Sequence, residues 1–587
     1  MPDGRKTARN GSNDDDVSAS PRLLRAIPWS IAGLLAAPVA VGLAGVVLPA
    51  FGYLPALGGT SLSLGPFREL LAQPGLFASS LLSFASGLVT TALSVLAVSL
   101  FLAAFHGTGA MRIARRALGP LLAIPHAAAA FGLAFLIAPS GLLFRLAAAP
   151  LGLDRPPDLL IVGDPLGLSM MAGLIAKEIP FLMLVAFAAL PQAEPQRRTM
   201  LARSLGYGRM AAFLHTVWPS VYRQIRLPVL AVVAFASSVV DVALILGPSV
   251  PPTLAVRLLQ WMGDPDLSLR FLASAGALLQ LAVTAGALLV WLGLERLCAR
   301  LGAAIAARGR RGTNDGAARG LAMLPVALAG LSLALGLLVL AIWSFAGLWS
   351  FPDPLPQAFT TQTLERALPR AEGPIVTTAM VAGLSGVIAL LAVVAMLESH
   401  RRAVPRLAGE RPVLPSLIAG LLYLPLIVPQ IAFVFGLQIL VVASGFEPSL
   451  AFLVAVHLVF VAPYVALALV GPWFALDPRY DGVAASLRHG PVATLLRIRI
   501  PLLLAPILTA FAIGFAVSVG QYLPTVLIGA GRLTTITTEA VALASGGNRR
   551  IVGVYALLQT IVPALVFLAA SLVPVLVYRR RRGMEGA

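Results

Sequence analysis

Charged side chains are scarce in the apolar stretches of this 587-residue chain, so the few that occur there are the first candidates for chemistry. Asp241 stands inside SSVVDVALILGP, flanked by apolar residues. Lys177 and Glu178 stand together just before Pro180 in another apolar run. An Asp at the centre of a membrane helix costs about 2.5–3.5 kcal/mol on insertion scales, so such a residue normally faces a bundle interior or a water-filled cavity. Two readings of Asp241 stay open: it lines a wet path, or it is a structural residue hydrogen-bonded between helices or to a loop arginine. Lys177 and Glu178 are adjacent and point to different helix faces, which makes a local ionic anchor the simpler reading of both. Other reactive types do not cluster. The six histidines (His106, His126, His215, His400, His457, His489) show no metal-ligand spacing and read as ordinary helix or loop residues. Cys298 is single, which excludes an internal disulfide. No Gly-x-x-x-x-Gly-Lys-Ser/Thr loop occurs, so the chain has no phosphate cradle of that kind. No metal site and no catalytic group is expected.

The elements that carry these residues are long and apolar. The chain is 58% hydrophobic and 12% charged, with a mean hydropathy of +0.89; soluble domains carry about 25% charged residues. Runs long enough to cross a ~30 Å hydrocarbon core recur throughout. They fall near 29–48, 76–105, 118–143, 166–190, 227–246, 271–294, 321–343, 375–397, 417–443, 450–473, 502–528 and 551–577. The fold class is therefore an all-α polytopic membrane protein with about twelve transmembrane helices. The net charge of +18 would suit nucleic acid, but the basic residues gather in alternate loops (112–116, 197–226, 296–319, 401–411, 479–499, 579–582). That is the positive-inside bias of a chain whose partner is the bilayer, not nucleic acid. With twelve spans it puts both termini in the cytoplasm. Residues 1–27, with Asp14, Asp15 and Asp16, read as a disordered cytoplasmic tail, not a signal peptide. A first six-helix unit covers 28–297, an Arg/Gly/Asn-rich hinge 298–320, a second unit 321–578 and a basic tail 579–587.

The two units repeat. Pro125, Phe131, Gly132, Leu133, Ser140 and Gly141 recur at identical spacing as Pro429, Phe435, Gly436, Leu437, Ser444 and Gly445. Six spans separate equivalent elements, so the units insert with the same polarity, a parallel duplication about an axis along the membrane normal. Gly132 and Gly436 suit close helix crossings. Aligning Phe235 with Phe515 pairs Asp241 with Gln521, which such an axis would set on opposite walls of one central path.

The strongest repeat lies in two polar loops. MLARSLGYGRMAAFLHTVWP (200–219) is matched 282 positions later by GVAASLRHGPVATLLRIRIP (482–501). Ala202, Ser204, Leu205, Gly208 and Pro219 meet Ala484, Ser486, Leu487, Gly490 and Pro501. Leu201 with Leu205, and Val483 with Leu487, stand four apart and so share a helix face.

This pattern resembles the Glu-Ala-Ala loop of permease subunits in binding-protein-dependent ABC importers: Glu-Ala-Ala, three residues, Gly, then Pro thirteen residues on. In that family the loop is the coupling helix that docks in a cleft of the ATPase. The resemblance implies that role for Leu201, Ala202, Leu205, Gly206, Gly208 and Pro219, and for Val483, Ala484, Leu487, Gly490 and Pro501. The match is partial: the motif Glu is Met200 and Gly482, its first Ala is Leu201 and Val483, and the motif Gly, kept as Gly206, is Arg488 in the second copy. Arg does not favour the positive φ open to Gly, so the two loops are expected to dock differently. The segment SVVDVALILGPSVPPTLAVRLLQWMGDPD resembles iron- and thiamine-type permeases, thiamine-transport permeases in particular. In these a Gly-Glu-Phe-Gly-like sequence occupies the place of Asp241 and Gln521.

The resemblance implies a MetI-like importer permease fold of two parallel six-helix repeats, a non-enzymatic transport subunit in a bacterial inner membrane. It also implies two cytoplasmic ATPase subunits that bind the ATP, and a periplasmic or lipid-anchored solute-binding protein. Asp241, Gln521 and Glu178 are the candidate path residues. Thiamine or a related cationic solute is the implied cargo, although metal ions, oxyanions and polyamines are carried by permeases of the same build. The rival reading is a twelve-helix carrier driven by an ion gradient. It would need intramembrane carboxylates and gives no reason for duplicated loops.

Overall fold

The computed structural model describes residues 21–309, 311–403, 414–445 and 447–579; most of the expected N-terminal tail, part of the 401–411 cluster and nearly all of the basic C-terminal tail lie outside them. The first half runs α1 (Pro21–Ala50), α2 (Gly65–Ala72), α3 (Leu76–Phe105), α4 (Gly109–Ala123), α5 (His126–Ile137), α6 (Leu142–Leu151), α7 (Leu168–Ala189), α8 (Pro195–Ser204), α9 (Arg209–Thr216), α10 (Trp218–Ser238), α11 (Asp241–Leu246), α12 (Leu254–Gly263) and α13 (Leu269–Ala307). The second runs α14 (Gly316–Phe345), α15 (Gln362–Ala403), α16 (Ser416–Ile427), α17 (Gln430–Ala443), α18 (Leu450–Ala475), α19 (Arg479–Ser486), α20 (Pro491–Thr494), α21 (Ile500–Leu502), α22 (Leu504–Val519), α23 (Leu523–Gly529), α24 (Ile536–Ala544) and α25 (Arg549–Tyr578).

Among the described residues nine helices are long and apolar enough to cross a membrane, and eleven if two bent pairs each count as one span. The expected fifth span corresponds to α10, whose first turns carry Arg223 and Arg226. Prolines explain much of the departure from twelve uninterrupted helices. Ile124 and Val428, each just before a proline, take extended backbone, because a following proline ring disfavours the helical region. The expected third span is thereby split into α4 and α5, and α16 and α17 meet at 84°. The fifth and eleventh spans also break, after Ser238 and after Val519, and resume as the short α11 and α23. α13 extends to Ala307 and α14 starts at Gly316, so much of the expected hinge 298–320 is helix.

The first helix of each half packs into the other half. α1 lies along α15, α16 and α17, and α14 lies along α3, α5 and α7. Both exchanges use bare backbone. A Cβ on Gly132 of α5 would lie 2.8 Å from the carbonyl carbon of Gly336 in α14. A Cβ on Gly436 of α17 would run into Gly42 of α1. A buried cap recurs as well: Ser83 Oγ accepts from Leu254 N at 3.0 Å, and Thr378 Oγ1 accepts from Ile536 N at 3.0 Å. These bonds seat the first turns of α12 and α24 on α3 and α15.

Candidate functional site

A cavity of about 440 Å³ opens between the halves. Asp241, at the start of α11, and Gln521, in the break before α23, both line it, and so does Glu178 of α7. The two spans that follow the polar loops are thus broken beside the cavity, where backbone released from a helix can meet water instead of lipid. The candidate path residues are brought to one space, each mostly buried in its wall.

Lys177 and Glu178 diverge. Lys177 Nζ donates to the carbonyls of Leu121 at 2.9 Å and Leu122 at 3.4 Å. It holds the last turn of α4, where the helix dipole favours a cation. Glu178 Oε1 lies 3.4 Å from His126 Nε2, whose ring packs at 4.9 Å on Phe235. Sequence reasoning treated His126 as ordinary; the structure sets it on the cavity wall between two carboxylate-bearing elements. Its position directly after Pro125, at the repeated helix break, is the signal that could have marked it. His457 differs. It is buried, with Nδ1 2.8 Å from Ser518 Oγ and Nε2 3.1 Å from Thr525 Oγ1, and so ties α18 to both sides of the break in the eleventh span.

Aromatic residues were also missed. Tyr423, Tyr464 and Tyr522 line the cavity with Phe181 and Phe235. Phe181 follows Pro180 and Tyr464 follows Pro463, and their rings meet at 5.8 Å across the junction of the halves. The arrangement can surround a solute with π faces, two carboxyl groups and an amide. Among the described residues no group of three or more His, Cys, Asp or Glu is placed to hold a metal ion.

The polar loops form short helices of their own, between the spans that line the cavity. Leu201 and Leu205 are 60% and 66% exposed, and Val483 and Leu487 are 52% and 62% exposed. Ala202 and Ala484 turn inward, at 5% and 2%. Each loop therefore presents an apolar pair and packs its small residue beneath. Pro219 lies in the first turn of α10, and Pro501 within α21. The expected difference at the motif glycine is not seen in the backbone: Gly206 has φ 87°, and Arg488 has φ 53°. The turn geometry overrides the cost of a non-glycine residue there.

The two loops are braced differently. In the first, Arg198 donates to Ser220 Oγ at 2.6 Å and to the Thr216 carbonyl at 3.2 Å. In the second, Asp481 of α19 accepts from Arg401 at 2.8 Å and Arg499 at 2.7 Å. Glu398 accepts from Arg499, and from Arg402 at 2.6 Å. Burial alone would raise the Asp481 carboxyl, but the hydrogen bonds and charges of Arg499 and Arg401 outweigh it and hold it below the ordinary carboxylate range.

The chain is 30% identical over 564 residues to the inner membrane ABC transporter permease protein YnjC of Escherichia coli (strain K12), an alignment that covers 95% of this chain and 98% of that one. It belongs to the ABC transporter permeases. The permease is accordingly a transport subunit and a multi-pass inner-membrane protein. No family model and no solved structure matches it. The kinship spans both halves, so the cavity and both polar loops fall within the aligned length of a permease.

Proposed function

We propose that this permease is the fused, two-copy membrane subunit of an importer, in which two parallel six-helix repeats enclose a solute path. Two cytoplasmic ATPase subunits dock on 195–219 and 479–501, and a periplasmic or lipid-anchored solute-binding protein delivers the cargo. ATP is bound by the partners. Both termini and both loops face the cytoplasm. The exposed pairs Leu201–Leu205 and Val483–Leu487 support docking, because apolar side chains held out on short helices suit a partner's cleft. Kinship with an ABC permease sets aside a carrier driven by an ion gradient.

The cargo is a cationic organic solute of the thiamine type. The observation that carries this is the cavity between the halves, where Asp241 and Glu178 stand among Tyr423, Tyr464, Tyr522, Phe181 and Phe235. A cation over an aromatic face gains about 0.5–2 kcal/mol, and a carboxylate in a wet path can stay ionised. Asp241→Asn keeps the shape and removes the charge. Uptake of radiolabelled thiamine into proteoliposomes should fall at least about tenfold, the scale of one charge-assisted contact, while assembly and ATP hydrolysis persist. Unchanged uptake, or loss only through misassembly, would make Asp241 structural and remove the argument for a cation.

A further inference from the structure

The segment between the halves does not run free. Past Ala307 the chain turns, and residues 311–315 lie against the turn between α8 and α9. Gly208 N donates to the Arg311 carbonyl at 2.8 Å, and Met210 N donates to Asp315 Oδ2 at 2.9 Å. Gly208 holds the N-cap position of α9 and has no side chain to offer; Met210 is the second residue of that helix. An N-cap side chain ordinarily accepts from the second or third N–H, and Asp315 supplies that bond from about a hundred residues away. Asp315 itself stands at the N-cap of α14 and makes no side-chain capping bond there.

The packing is as close as the bonding. A Cβ on Gly208 would run into the Gly312 carbonyl, one on Gly206 would lie 3.0 Å from Arg311 Nη1, and one on Gly312 would lie 3.2 Å from the Ala211 Cβ. The second loop has another solution. There the helix after the turn opens with Pro491 in the place of Arg209, and α19 is held by Asp481 and its arginines.

We propose that residues 311–315 belong to the coupling apparatus: a strap that caps α9 from outside and locks the first docking loop to the start of α14. α14 then packs along α3, α5 and α7 of the first half and α25 of the second. A rigid shift of α8 and α9 is passed through the strap to a helix that touches both halves. The covalent fusion is thus a working joint on one side of the molecule, and Asp315 is its positioning residue. The inference rests on the docking role proposed for 195–219.

The seating is tested first, on a Cys298→Ser background. Ala211→Cys with Gly312→Cys should close to a disulfide in oxidised native membranes and lose reactivity to a polyethylene-glycol maleimide. Ala493→Cys, at the second-loop position 282 residues on from Ala211, should not close with Gly312→Cys. Failure of the first pair, or equal closure of both, overturns the strap. Should Gly312→Cys at its positive φ prevent accumulation, tryptic cleavage after Arg311 gives the same answer: Asp315→Ala should speed it about fivefold, the scale of a lost N-cap, and an unchanged rate overturns the strap.

Coupling is tested in the complex with its ATPase subunits. Asp315→Ala should lower permease-dependent ATP hydrolysis about fivefold, and Asp315→Asn, which keeps an acceptor oxygen, should restore most of it. Replacing 311–314 with Gly/Ser of equal length, combined with Asp315→Ala, should stay uncoupled although the halves remain joined. Full hydrolysis by that variant overturns the coupling role. If the wild-type chain does not bind ATPase subunits at all, the docking reading fails instead, and the cross-link result stands apart from it.

Discussion

Asp481 is the residue through which the second loop should respond to acid. Its carboxyl is held low by Arg499 and Arg401, and a group with a depressed folded-state pKa stabilises fully above its unfolded value, about 4, and loses that contribution as pH falls through the folded value. The bracing of α19 is therefore complete at neutral pH and fails only in acid. Thermal melts in detergent at pH 7, 5 and 3 should show a drop between 5 and 3 that Asp481→Asn abolishes. At pH 7 the same change should cost about 1–3 kcal/mol, toward the lower end because the Asp481 side chain is 35% exposed. A second residue-scale expectation concerns the shared turn. Arg488→Gly relieves a left-handed residue and should change stability by no more than about 1 kcal/mol. Gly206→Arg meets both φ 87° and the Arg311 guanidinium and should disturb assembly. Equal melting shifts for the two would count against this account.

At the scale of elements, the crossings of α5 with α14 and of α17 with α1 are the joints of the molecule. Their backbones approach so closely that a methyl group has no room on Gly132 or Gly436, and in lipid such packing replaces the hydrophobic drive between helices. Gly436→Ala and Gly132→Ala should each lower the yield of folded protein and its melting temperature. Gly330→Ala, in α14 but with nothing near its Cβ position, should be neutral. If all three behaved alike, the crossings would not be where the halves are held.

For the whole molecule, the basic clusters define a sidedness. In the proposed orientation Ser204→Cys and Ser486→Cys, both exposed, should react with an impermeant maleimide only after the membrane is opened, with native Cys298 first replaced by Ser. Strong labelling of either from outside would invert the topology and move the two polar loops away from any cytoplasmic ATPase. Exchange of α1 and α14 between the halves also has a global consequence: neither half buries its own bundle alone, so separately expressed halves should be stable only when made together, as co-purification would show.

The amino-acid sequence by itself determined the membrane class, the placing of most apolar segments, the paired glycines and the two loops with their exposed apolar pairs. All of these are local or periodic properties: about twenty apolar residues, two residues four apart, a proline that cannot continue a helix. Tertiary structure decided what depends on contacts between distant segments. His126, Tyr423, Tyr464 and Tyr522 share a cavity with Asp241 because α5, α7, α16, α18 and two helix breaks converge there, and no window of sequence contains that convergence. The break after Ser238 has no proline to announce it. Arg488 takes a glycine's backbone in a turn whose preceding helix is tied down by Asp481 and its arginines, where a sequence reading could weigh only the intrinsic cost of the residue. Asp315 reads as part of a flexible hinge until the fold places it at the missing cap of α9, for a hydrogen bond needs a donor 2.9 Å away, and only the folded chain says which donor that is.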